Sequence, residues 1–317
     1  CGKIYADDNK IIRIDGSSTV YPITEAVAEE FQKMDIGKTK VTVGISGTGG
    51  GFKKFCRGDI DIQDASRPIQ QAELDACKAA NIKFFELPIG FDAIVVVVNP
   101  QNTWLKEITV EELKKIWEPA AQKTVTKWNQ INSKWPEAPL KLFGAGSDSG
   151  TFDYFTEAVV GKAKASRGDY TASEDDNTLV QGISTDKNAL GYIPMSYYME
   201  NQSKLKALAI IGSKIKKAIS PSKETVENGS YEPFSRPLFL YISENSYKKN
   251  PDVRKFTEFY LKNASKLVPA VKYVALPDKI YTMALEHLNK GKLGSVFGGH
   301  SEVGIKIEDL MKKDGKL

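Results

Sequence analysis

Lys40-Val-Thr-Val-Gly-Ile-Ser-Gly-Thr-Gly-Gly-Gly-Phe52 reads as a strand over 40–45 that breaks into a turn of glycines and hydroxyls. It resumes as a short helix carrying Phe52, Phe55 and Cys56. Three other segments repeat this layout. Ile11-Ile-Arg-Ile-Asp15 leads into Gly16-Ser-Ser-Thr19, and Asp59-Ile-Asp-Ile62 leads into Asp64-Ala-Ser-Arg-Pro68. Lys141-Leu-Phe143 leads into Gly144-Ala-Gly-Ser-Asp-Ser-Gly-Thr151. Each turn precedes a predicted helix. A helix N-terminus presents unpaired backbone N–H groups and the positive end of the helix dipole, which suit an anion. Four such ends in one chain predict a site for a small oxyanion.

Outward from these turns the pattern stays α/β. Val20, Ile23, Val27 and Phe31 recur at helical spacing, with Ser17 or Ser18 as N-cap. Residues 70–81 form a second predicted helix, and Thr109 with Glu112 opens another as a capping box. Residues 91–99 are a near-continuous β-branched run, the pattern of a strand buried on both faces. Ser235-Arg-Pro-Leu-Phe-Leu-Tyr-Ile242 matches it, and amphipathic helices follow at 251–261 and 280–288. Alternating strands and helices predict largely parallel sheets, which take ligands off the carboxyl ends of their strands. The two long strands read as crossovers. They divide the chain into a discontinuous lobe I (1–95 plus 238–317) and a lobe II (96–237), with a ligand that meets all four turns lying between them.

Composition narrows the classes. A chain of 317 residues has room for about two domains. Its 41% hydrophobic and 26% charged residues are those of an ordinary globular protein. A net charge of +4 is too small to argue for nucleic acid, and the longest apolar run, 94–98, is far too short to span a bilayer. The two histidines, His287 and His300, stand far from the turns, and no Cys-x-x-Cys occurs, so neither metal nor cofactor is expected. Ser46 and Ser149 do not sit in Gly-x-Ser-x-Gly, and the glycine turn lacks the Gly-Lys-Ser/Thr ending of a phosphate-binding loop of nucleotide enzymes. Binding without catalysis is therefore expected, with no catalytic residues. Cys1 in place of Met suggests a processed chain lipidated at that cysteine. If the chain is exported, Cys56 and Cys77 form a disulfide; two separate buried thiols are the alternative.

The succession Asp15-Gly-Ser-Ser-Thr-Val-Tyr-Pro22, Ser46-Gly-Thr-Gly-Gly-Gly51, Asp64-Ala-Ser-Arg-Pro68, Gly146-Ser-Asp-Ser-Gly-Thr151 and Gly191-Tyr-Ile193 resembles the phosphate-binding proteins of bacterial phosphate ABC transporters. The resemblance spans nearly the whole chain, and points within that family to the cyanobacterial, SphX-type branch. It implies a type II periplasmic-binding-protein fold: two α/β lobes, mixed sheets flanked by helices, and a cleft that closes on one dehydrated phosphate. It also implies a periplasmic or otherwise extracytoplasmic monomer that serves the membrane subunits of an ABC permease. Matched residue by residue, Ser18 and Thr19 fall in the first loop, Ser46, Thr48, Gly49 and Gly50 in the second, and Ser149, Gly150 and Thr151 at the second-lobe helix. The best-known subgroup has an arginine just before the Ser-Gly-Thr and an aspartate in the third loop. Here Ala145 and Gly146 stand where the arginine would be, and Arg67 lies beside Ser66 in the third loop. Arg67 is accordingly read as a bidentate oxyanion ligand. Asp148 or Asp64 is read as the carboxylate that accepts the phosphate proton. Another tetrahedral oxyanion, such as sulfate or molybdate, and a phosphate-ester hydrolase built on the same cradle are the alternatives.

Overall fold

A computed structural model describes residues 11–34, 38–147, 149–297, 307–313 and 315. Cys1 and Asp148, on which a lipid and a ligand carboxylate were expected, lie outside the described residues. The chain divides into two compact α/β units: residues 1–91, 237–271 and 275–317, and residues 92–236 with 272–274.

Unit 1 opens with β1 (Ile11–Gly16), α1 (Tyr21–Met34), β2 (Lys40–Val43), α2 (Thr48–Phe55), β3 (Ile62–Ala65), α3 (Gln71–Ala79) and the first half of β4 (Phe84–Val98). β1 pairs in parallel with β2 and with β3, in a register that sets Ile14 beside Val43 and Ile62. Their carboxyl ends therefore share one edge. All fifteen residues of β4 are buried. It begins at Phe84, earlier than the β-branched run suggests, because Glu86, Pro88 and Gly90 interrupt the apolar pattern without interrupting the strand.

Unit 2 contains β5 (Glu107–Thr109), α4 (Val110–Trp117), β6 (Lys141–Ala145), α5 (Gly150–Val160), β7 (Thr171–Ser173), α6 (Asp176–Thr185), β8 (Ala189–Pro194), α7 (Met195–Glu200), β9 (Lys206–Ala207), β10 (Ala209–Ile211) and α8 (Lys223–Glu227). β6 is parallel to both β7 and β8, whereas β4 meets β8 antiparallel, so the sheet is mixed. Its core is aromatic: Phe155 stacks on Tyr192 at 3.7 Å, and Trp117 meets both rings edge-on. Gly144 fits that stack, since a Cβ there would lie 2.5 Å from the Tyr192 ring.

β11 (Ser235–Ser243) carries the chain back to unit 1, where it runs antiparallel to β3 and precedes α9 (Glu244–Lys249), α10 (Pro251–Ala270), α11 (Asp278–Lys290) and α12 (Ile307–Met311). α10 outruns its predicted end at 261, because Ala264, Leu267 and Val268 continue the buried stripe and Pro269 enters only in the last turn. Phe31 of α1 packs edge-on against Phe256 and Phe259 of α10. A Cys56–Cys77 disulfide ties the end of α2 to α3, as expected from the sequence.

Candidate anion site

The carboxyl edge of β1, β2 and β3 is held together by backbone contacts that glycine makes possible. Gly16 has φ +139°, and a Cβ there would lie 2.2 Å from the Asp64 carbonyl oxygen. Gly51 is equally constrained: its Cβ would lie 1.9 Å from Gln63 Oε1 and 2.7 Å from the Gly16 Cα. α2 consequently rests directly on β1 and β3. Gly47 N–H donates to the Gly16 carbonyl at 2.8 Å, and Ser17 N–H to the Asp64 carbonyl at 2.9 Å.

Each turn then presents donors. Ser17 Oγ accepts the N–H groups of Thr19 and Val20, so Ser17 caps α1. Ser18 is left half-buried with no hydrogen bond among the described residues, and Thr19 is buried. At α2 the N-cap is Gly47, and among the described residues no side chain caps the helix. The N–H groups of Thr48, Gly49 and Gly50 are thus the unpaired first-turn donors. Thr48 Oγ1 lies 3.1 Å from Ser66 Oγ and accepts the Ser66 N–H at 3.2 Å, which joins the second and third turns. Arg67 reaches the same place, its Nη2 3.6 Å from where a Gly49 Cβ would stand. Its guanidinium is paired with both carboxylate oxygens of Glu73, at 2.9 and 2.7 Å, and lies over the Phe52 ring.

Two aspartates behave differently from each other. Asp15, to which the sequence analysis assigns no role of its own, organises the second turn. Its Oδ1 accepts Gly16 N–H, Ser46 N–H and the Ser46 hydroxyl, while Lys54 Nζ holds Oδ2. Burial alone would raise its carboxyl, but the hydrogen bonds from Lys54 and Ser46 outweigh that and hold it below its ordinary value. Asp64 is fully buried on the other face of β3. It accepts from the Thr24 hydroxyl, which in turn meets the Tyr260 hydroxyl, and its Oδ2 has no partner among the described residues. Burial, with the Asp15 charge nearby, pushes it well above the usual carboxylate range. Gln63, one residue earlier, points instead to α2, where its Nε2 donates to the Thr48 carbonyl. The structure therefore brings Ser18, Thr19, Ser46, Thr48, Gly49, Ser66 and Arg67 along one edge and leaves the Asp64 carboxyl out.

In unit 2, Ser149 caps α5 by accepting the Thr151 N–H at 3.1 Å, with Gly150 and Thr151 half-buried in the first turn. Glu174 packs against Gly146 just before this start, where a Cβ would lie 1.9 Å from its carboxylate. One turn into α5, Arg236 covers the Tyr154 ring at 3.6 Å and pairs with Asp92 at 3.3 Å.

Residues 4–264 match the PBP superfamily domain. The chain belongs to the PBP superfamily. Protein SphX of Synechococcus elongatus is 52% identical to it over 305 residues, covering 96% of this chain and 89% of that protein. Within the PBP superfamily the chain is also 38% identical over 278 residues to the phosphate-binding protein PstS of Staphylococcus haemolyticus, covering 87% and 84%. The crystal structure of a possible phosphate binding protein from Planctomyces limnophilus superposes with a TM-score of 0.85 at 46% identity, over 88% of this PBP superfamily chain and 98% of that one. The resemblance read from the succession of turns is borne out by these relatives.

Proposed function

We propose that this chain binds inorganic phosphate outside the cytoplasmic membrane and delivers it, chemically unchanged, to an ABC importer. The observation that carries the reading is the shared carboxyl edge of β1, β2 and β3, where Thr48, Gly49, Ser66 and Arg67 gather at the uncapped start of α2 and Ser18 and Thr19 follow the end of β1. In unit 2, Ser149 caps α5, and Gly150 and Thr151 lie in its first turn, so the same kind of hydroxyl-rich helix start recurs there. Fixed N–H and O–H groups can replace the water around a small oxyanion without reorganising, which favours tight binding of one ion of one size. The chain's likeness to proteins named SphX and PstS supports the same reading. A monomer and a lipid at Cys1 are the accompanying expectations, checked by light scattering and palmitate labelling.

Isothermal titration with phosphate, sulfate and molybdate tests the proposal. Saturable binding of one phosphate per chain, with weaker or no response to the other two, is expected. An absence of heat with phosphate, starting from verified ligand-free protein, overturns it. Incubation with phosphate esters should release no phosphate, and release would move the reading to a hydrolase.

A further inference from the structure

Ser46 is exposed, yet its hydroxyl proton is committed. The O–H donates to Asp15 Oδ1 at 2.6 Å, and the Ser46 N–H donates to the same oxygen at 3.0 Å. Gly16 N–H adds a third donor at 2.7 Å, and Lys54 holds the second carboxylate oxygen. With four donors around it, Asp15 is an ionised carboxylate, which only accepts hydrogen bonds. A hydroxyl bonded to such a group must be the donor. Serine has one hydroxyl proton and two lone pairs, so the rest of Ser46 Oγ offers lone pairs alone.

The position of that oxygen matters. A Cβ at Gly50 would lie 3.3 Å from Ser46 Oγ, which sets the oxygen beside the first turn of α2. An anion seated on the N–H groups of that turn comes within reach of it. The neighbouring hydroxyls are not committed in this way. Thr48 and Ser66 bond to each other in either direction.

We infer that Ser46 Oγ is the group that accepts the proton of bound hydrogen phosphate, and that it thereby separates phosphate from sulfate. Asp15 and Lys54 act through it as positioning residues. The inference rests on the phosphate reading above. At neutral pH inorganic phosphate retains a proton and sulfate has none. Phosphate completes a P–O–H···Oγ hydrogen bond, whereas sulfate sets oxygen lone pairs against the lone pairs of Ser46 in a desolvated contact. No carboxylate need touch the ligand for this selection to work, since Asp15 fixes the polarity of the serine from behind.

The test uses the full chain and three anions: phosphate, sulfate and monofluorophosphate, the last a dianion in which fluorine replaces the P–OH. Affinities of wild type, Ser46→Ala and Ser46→Thr are measured by titration calorimetry, with competition for weak ligands, and thermal melts confirm folding. Ser46→Ala should lose phosphate affinity by roughly tenfold or more, the worth of one hydrogen bond involving a charged group. Its affinities for sulfate and monofluorophosphate should stay level or rise, and Ser46→Thr, which keeps Oγ, should restore the wild-type preference. An unchanged phosphate-to-sulfate ratio in Ser46→Ala overturns the inference and leaves the phosphate reading standing. A parallel loss for all three anions also overturns it, by making Ser46 a donor or a loop support. Wild-type protein that binds no phosphate overturns the phosphate reading, and the inference falls with it.

Discussion

Stability should fall as pH rises through neutrality, and Glu86 is the group that makes the effect measurable. Its carboxylate is buried on β4, where it accepts the Tyr241 hydroxyl at 2.7 Å and the Val296 N–H at 2.9 Å. Burial dominates these hydrogen bonds and pushes it from an ordinary 4.5 up to about 7. Below 4.5 the group is protonated in the folded and unfolded chain alike, so the stability it confers is fully present. As pH rises towards 7 the unfolded chain loses the proton first, the folded chain binds more protons, and stability declines. Between pH 5 and pH 8 the loss from this group comes to about 2–3 kcal/mol. Glu86→Gln is neutral throughout and should lack that share of the decline. Unfolding free energies from urea titrations at the two pH values, at fixed ionic strength, give the comparison. Asp64 and Asp92, also raised by burial, act in the same direction but are present in both proteins and cancel in the difference. Equal pH losses in wild type and variant would refute the reasoning.

Three further outcomes are expected. The Cys56–Cys77 bridge closes a separation of 21 residues, so replacing both cysteines by serine should lower the unfolding free energy by about 3 kcal/mol, read from urea midpoints. Gly51→Ala forces a methyl group against Gln63 and the Gly16 backbone; it should destabilise by about 1–3 kcal/mol in thermal unfolding and weaken phosphate binding as the turns separate. Arg67→Ala should leave the fold intact and weaken phosphate binding at least about tenfold by calorimetry, and unchanged affinity would remove Arg67 from the site.

The turns, the long buried strands and the disulfide were legible because each is local or leaves a plain composition signal. What escaped depended on register and on distant partners. The sequence suggests a strand over 59–62 followed by a turn containing Asp64. β3 in fact spans Ile62–Ala65, because Asp61 is used before the strand, accepting the Arg13 N–H and the Ser246 hydroxyl. That shift moves Asp64 from the turn into the strand. Side chains alternate along a strand, so Asp64 faces Thr24 and Tyr260 while Gln63 faces α2. Asp15 escaped for another reason. In isolation it is an aspartate before a glycine turn, and its partners Ser46 and Lys54 follow 31 and 39 residues later. Only the pairing of β1 with β2 brings them together. An acidic residue ending a strand directly before Gly-Ser-Ser was the one available signal.

Arg67 and Lys54 show how the carboxyl edge of unit 1 can be selective. Each cation is paired with a carboxylate of its own, Arg67 with Glu73 and Lys54 with Asp15. An unpaired basic patch would attract anions by charge alone and scarcely distinguish one from another. Here the pairing offsets the charge locally and fixes the groups in place. Attraction then falls to oriented N–H and O–H dipoles, whose contribution depends on where each oxygen of the ligand lies and on whether that oxygen carries a proton. Glu73 keeps the guanidinium beside Gly49, and Asp15 keeps the Ser46 proton turned inward. Charge pairing of this kind gives up some long-range pull on anions. On the phosphate reading, and with Ser46 as the proton acceptor proposed above, the edge in return responds to the shape and protonation of the ion, the two properties by which phosphate can be told from other small anions.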